Sequence, residues 1–142
     1  LMIDGSRGDY GLRALVYLAA RAEHGKPVQI HAIAERQQIP EDYLRQLLVQ
    51  LRAAGLVKSV RGPHGGYLLA KTPLEISMGE VIEVLEGAPE QIHYQNERLG
   101  EADRLDIVGA DHIRTRFNHA LSQMQAILHQ TTLADLVAES SD

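Results

Sequence analysis

The chain contains no cysteine and no tryptophan, and only one phenylalanine among its 142 residues. Without thiols it can form no disulfide, no thiolate-bound zinc site, no cysteine nucleophile and no cysteine-held iron–sulfur cluster. Long hydrophobic runs are also missing. None approaches the roughly 20 residues that cross a bilayer, and residues 1–5 carry no signal-peptide pattern. A cytoplasmic protein with no membrane partner is expected. Catalytic signatures are equally scarce: no glycine-rich phosphate loop follows a strand, no nucleophile–base spacing stands out, and the acidic residues of the rear half are scattered. An enzyme is therefore not expected. What remains, 44% hydrophobic and 23% charged residues, suits a globular chain rather than a disordered one, holding either one compact core or a small domain plus an extended oligomerising element.

Net charge is -5, but the two halves of the chain differ sharply. Residues 1–71 hold ten Lys/Arg against six Asp/Glu, whereas residues 72–142 hold four against thirteen. A basic front and an acidic rear point to one face turned toward a polyanion and another that avoids it.

Hydrophobic spacing organises the front half. Leu12, Leu15, Val16 and Ala19 predict a helix over 9–23 that ends at Gly25-Lys26-Pro27. A second helix, 30–37, buries Ile30, Ile33 and Ala34. Ile39-Pro40 makes the turn, with Pro40 at the first position of a third helix, 41–54. There Leu44, Leu47, Leu48 and Leu51 form the apolar stripe, Glu41 and Asp42 sit in the first turn, and Gly55 caps the end. Two short helices joined by a tight turn are a helix-turn-helix candidate. Apolar runs 56–60 and 67–70 follow, flanking the turn Arg61-Gly62-Pro63-His64-Gly65-Gly66. This reads as a hairpin whose slim tip carries one arginine, the shape that enters a DNA groove. The fold class expected is mainly α, a winged helix-turn-helix domain with a β-hairpin wing.

Behind the wing, Ser77 and Glu80 suit a capping box opening a helix at 78–86, and residues 87–110 read as a polar loop. Ile113, Phe117, Ala120, Leu121, Met124, Ile127 and Leu128 predict a long helix, 111–130, built to pack on a partner helix. Thr132 and Asp135 cap a short last helix. The division expected is 1–86 for DNA binding, 87–110 as the loop and 111–142 for dimerisation.

These residues resemble the IscR/NsrR/CymR group, the Rrf family, of bacterial winged-helix regulators. The resemblance is carried by Asp9 to Leu15, Ile33 to Arg36, Tyr43 to Leu48, Leu51-Arg52, Ala54 to Pro63 and Gly65 to Leu69, and it extends through Gly79 to Ile82 and Thr132 to Leu136. It covers nearly all of the chain outside 87–110. The family's wing reads Arg-Gly-Pro-Gly-Gly-Gly-Tyr, and His64 is the departure here. The resemblance implies a cytoplasmic homodimer acting on double-stranded DNA, a repressor at a palindromic operator. Matched by position, its contacts would be Tyr43, Gln46 and Arg52 on the recognition helix, with Arg61, Gly62, Pro63 and His64 on the wing. Arg45 is a further phosphate contact expected on the same exposed face. The chemistry fits independently: Gln46 can pair bidentately with adenine, Arg52 with guanine or phosphate, and Arg61 suits a narrow minor groove.

Sensing is where the chain leaves its relatives. Well-known members of the resembled family hold an iron–sulfur cluster through three cysteines after the fourth helix, other members are cluster-free, and no cysteine stands here. No cofactor is expected, and the switch falls to a regulatory protein or a small-molecule effector of unknown identity. Asp9 matches a position that ligates a cluster in one branch of the family, and is read here as a helix-start anion. His93, His112 and His119 lie near the old cluster segment, but His112 and His119 are two helical turns apart and do not chelate one ion unaided. The alternative function is a protein-interaction module that keeps the winged fold and has lost DNA binding.

Overall fold

The computed structural model describes residues 2–89 and 108–140. Among them run helices α1 (Arg7–Ala20), α2 (Ile30–Gln37) and α3 (Glu41–Ala53), strands β1 (Val57–Val60) and β2 (Gly66–Leu69), and helices α4 (Met78–Glu86), α5 (Ala110–Gln130) and α6 (Leu133–Ser140). The fold is mainly α with one antiparallel hairpin, as the sequence led us to expect. Most of the expected 87–110 loop lies outside the described residues.

The core forms where the apolar stripes of α1, α2 and α3 meet. Leu15, Ile33, Leu44, Leu47, Leu48, Leu51 and Leu56 are fully buried. Each such side chain contributes about 1.5–3 kcal/mol by leaving water. Contributions from the far end of the chain complete it. The Leu133 amide donates to the Ile76 carbonyl at 2.9 Å, the Met78 amide to Thr131 at 2.7 Å, and Leu133 itself is buried. Thus α6 returns to the base of α4 and the side of α1. Where α5 crosses α4, Gly79 lets the two approach: a Cβ there would lie 2.7 Å from the His129 ring. His129 Nε2 also lies 2.9 Å from Glu83 Oε1.

Boundaries differ from the sequence expectation in small, physical ways. Helix α1 starts at Arg7 because Ser6 caps it, accepting from the Asp9 amide at 3.4 Å. Its expected last turn instead tightens into a 3₁₀ segment, Ala22–His24, closed by Gly25 at φ 63°. Pro40 sits one residue before α3 as its cap rather than at its first position. At α4, Ser77 accepts from the Glu80 amide at 3.0 Å, but the Glu80 carboxylate turns to Lys71, 3.6 Å away, so only half of the expected box forms. The box at Thr132 and Asp135 is reciprocal, with bonds of 2.9 and 3.1 Å. An unexpected clasp closes the 3₁₀ turn Pro73–Glu75. The Thr72 hydroxyl donates to Glu75 Oε1 at 2.7 Å and, with the Thr72 amide, holds that carboxyl below its usual range.

The hairpin pairs Val57 with Leu69 and Val60 with Gly66. Val28, just before α2, adds a third rung: it exchanges amide–carbonyl bonds of 2.9 and 2.8 Å with Tyr67. Gly66 makes this close approach possible. Its φ is 148°, and a Cβ would lie 2.4 Å from the Val28 carbonyl oxygen. Gly66→Ala is expected to lower stability by about 1–3 kcal/mol, from backbone strain and the lost rung. A urea titration checks this, with a fall in the midpoint as the expected reading.

Candidate nucleic-acid interface

The burial of Leu44, Leu47, Leu48 and Leu51 fixes which side of α3 faces out. Asp42, Arg45, Gln46, Val49, Gln50 and Ala53 recur at helical spacing on that side, and all are exposed. Gln46 makes no side-chain hydrogen bond among the described residues, so its amide is free to read a base edge. Arg45 lies 3.9 Å from Glu41 in an exposed pair that a phosphate can displace. Val49, which the sequence reading passed over, is 54% exposed between these polar groups, the environment a thymine methyl group would fill. A solvent-facing valine on a polar helix face was the signal available in the sequence.

Tyr43 is placed differently. It sits half-buried at the edge of the core, its ring meeting Tyr10 edge-on at 5.7 Å. The Arg7 guanidinium lies 5.9 Å from the same ring. Arg7 also donates to the Leu85 carbonyl at 3.1 Å and to the side-chain oxygen of Gln50. One arginine at the start of α1 thus ties α3 to the end of α4. Sequence reasoning missed it because its partners lie 43 and 78 positions away.

At the other end of α3, Arg52 donates to the Ser59 hydroxyl at 3.2 Å, linking the helix to β1. The turn beyond β1 is compact. The Gly65 amide donates to the Gly62 carbonyl at 2.9 Å, and Gly62 has φ 109°. Arg61, Gly62, Pro63 and His64 are all exposed, and Arg61 makes no hydrogen bond or ion pair among the described residues. The structure thus leaves Gln46, Arg52 and the wing turn exposed, ties α3 to strand β1 through Arg52 and Ser59, and sets Tyr43 half-buried.

Asp9 is fully engaged. It accepts from Arg13 Nη2 at 2.7 Å and from the Gly5 amide at 2.9 Å, and its bond to Arg13 raises that guanidinium further above its ordinary value. No group of three His, Asp or Glu side chains suited to a metal ion occurs among the described residues; His112 and His119 are exposed on α5, and His93 lies outside those residues. A donor set without thiolates and with its one matching carboxylate committed to Arg13 does not fit an iron–sulfur cluster. No described helix is long and apolar enough to cross a membrane.

A helix-turn-helix followed by an exposed, arginine-tipped hairpin tied to its second helix is the architecture of a winged-helix transcription regulator. Comparison with known proteins makes the assignment specific. Residues 5–139 match the Rrf2 model, described as an iron-dependent transcriptional regulator, and the chain belongs to that family. It is 36% identical over 134 residues to the HTH-type transcriptional regulator IscR of Cereibacter sphaeroides, covering 93% of this chain and 84% of the relative. To CymR of Bacillus subtilis it is 45% identical over 82 residues, 58% of this chain and 59% of the relative. The solved structure of B. subtilis CymR, the global cysteine regulator of that organism, superposes with a TM-score of 0.77 at 33% identity, covering 98% of both chains.

Proposed function

We propose that this regulator acts as a homodimeric repressor on a roughly palindromic operator, with α3 in the major groove and the wing in the adjacent minor groove. The observation that carries this reading is the exposed polar face of α3, held beside strand β1 of the wing by the Arg52–Ser59 bond of 3.2 Å. On that surface Gln46 and Val49 read bases, Arg45 and Arg52 grip phosphate or guanine, and Arg61 enters the minor groove with Gly62, Pro63 and His64 around it. Tyr43 contributes by setting the pitch of α3 through Tyr10 and Arg7.

The dimer rests on α5. Ile113, Phe117, Ala120, Met124 and Ile127 fall at alternating steps of four and three, and every one of them is exposed. That spacing is the seam of a helix pair, and a second copy of α5 covers it symmetrically. The chain without cysteine supports a switch that needs no thiolate-held cluster, operated by a partner protein or small molecule in the cytoplasm.

Selection from a pool of random duplexes, followed by a salt titration on the recovered site, tests the reading. A palindromic consensus is expected, with affinity falling about 10³-fold or more between 50 and 200 mM salt if six or more phosphates are neutralised. A reporter carrying that site across its promoter is expected to be silenced. Recovery of no duplex at low salt would overturn the proposal.

A further inference from the structure

The hairpin has a second side. Between the wing tip and the end of α1 runs an open groove of about 1010 Å³ lined by the cations Arg21 and Lys26 and the imidazoles of His24 and His64, with no carboxylate. Glu23, the acid of the same turn, does not line it. The neighbouring hollow of about 380 Å³ shares Arg21 and Lys26 and adds Lys71, but it also contains the carboxylate of Glu75.

We infer that this groove is a second backbone-binding track of the protein, taking the sugar-phosphate strand that borders the minor groove entered by the wing. The inference rests on the DNA-binding reading above and extends it to residues outside α3 and the tip. Three features carry it. First, Pro63, His64 and Gly65 form one wall, so a duplex that receives Arg61 brings its phosphates to the mouth of the groove. Second, Lys26 and His24 are exposed and make no side-chain hydrogen bond or ion pair among the described residues, so no internal partner competes for them. Third, the Arg21 guanidinium is already held in place, 3.5 Å above the Tyr17 ring and bonded to the Tyr17 carbonyl at 3.4 Å. A held cation loses little freedom on binding. At about 1010 Å³ and open to solvent, the groove is too large for one small anion, and a run of phosphates matches its cations.

K26E and His24→Ala test this on the duplex recovered by selection, read by phosphate-ethylation interference and by salt titration. Lys26 is exposed, so the fold is retained, as an unchanged circular dichroism spectrum would show. For K26E the affinity is expected to fall about tenfold near 0.1 M salt and the salt slope to shrink by about one. The drop should be equal on the selected site and an unrelated duplex, because phosphates carry no sequence. At one or two phosphates per half-site, ethylation that hinders the wild type should cease to hinder K26E, and His24→Ala should show a weaker form of the same change. An interference pattern identical to wild type, or a loss confined to the selected site, overturns the track while leaving the main reading intact. Failure of the wild type to bind any duplex overturns both.

Discussion

If α5 pairs two copies of the chain as proposed, Ile127→Asp is expected to leave a monomer and to weaken operator binding by about 10²–10⁴-fold. The size of the effect follows from linkage. A dimer that has engaged one half-site presents its second reading head at millimolar effective concentration, and a monomer loses that gain entirely. Ile127 is the position to change because it is 63% exposed within the protomer, so the single chain folds without it. In the proposed pair the same side chain would lie in the seam, where a carboxylate facing its own symmetry mate is both desolvated and repelled. Met124, at 38% exposure, is the milder site, and Met124→Ala should weaken the dimer without abolishing it. Sedimentation equilibrium reads the assembly and fluorescence anisotropy reads the affinity. A monomer that still binds a full palindrome as tightly as wild type would remove α5 from the mechanism.

How far the sequence announces this molecule depends on the range of the interaction concerned. Helix α2 falls at 30–37 as read because its limits are local: Pro27 before it, Ile39-Pro40 after it and a short apolar stripe between. The turn of the wing is legible for the same reason, since Gly62 takes a positive φ of 109° and a Cβ on Gly65 would strike the Val60 carbonyl oxygen, both within a few residues. The demand on Gly66 comes from distant Val28 and is not readable. Local competition accounts for the misses at helix ends. Glu80 could reach back to Ser77, and Lys71, brought alongside by the fold, takes it instead. Tyr43 lies four residues before Leu47 and so beside the apolar stripe, which already hinted at partial burial. What could not be read is that Tyr10 and Arg7, more than thirty positions away, would complete its surroundings. The basic groove beside the wing is likewise invisible in one dimension, because Arg21 and His64, forty-three positions apart, come to line one groove only in the folded chain.

Arg61→Ala is expected to weaken operator binding by about 10- to 100-fold, the 1–3 kcal/mol associated with one well-placed arginine contact. The loss should come from recognition and not from folding, because Arg61 is exposed and bonds to nothing among the described residues. Its neighbours explain why the position is so sensitive. Gly62 on one side and Pro63 beyond it keep the tip narrow, and the Gly65–Gly62 bond of 2.9 Å stiffens the turn. A guanidinium on a stiff, slim tip enters a groove about 6 Å wide with little entropy to lose. Narrow A·T-rich minor grooves concentrate negative potential, so replacing the A·T steps beneath the wing with G·C should weaken the wild type. The alanine variant should be indifferent to that exchange, and this double comparison isolates groove reading from simple charge attraction. Arg61→Lys provides the last arm: it restores the charge and the salt dependence, but the compact, strongly hydrated ammonium recovers only part of the A·T preference. Equal affinities of wild type and alanine variant on both duplexes would mean that the wing tip does not touch DNA, leaving recognition to α3 alone.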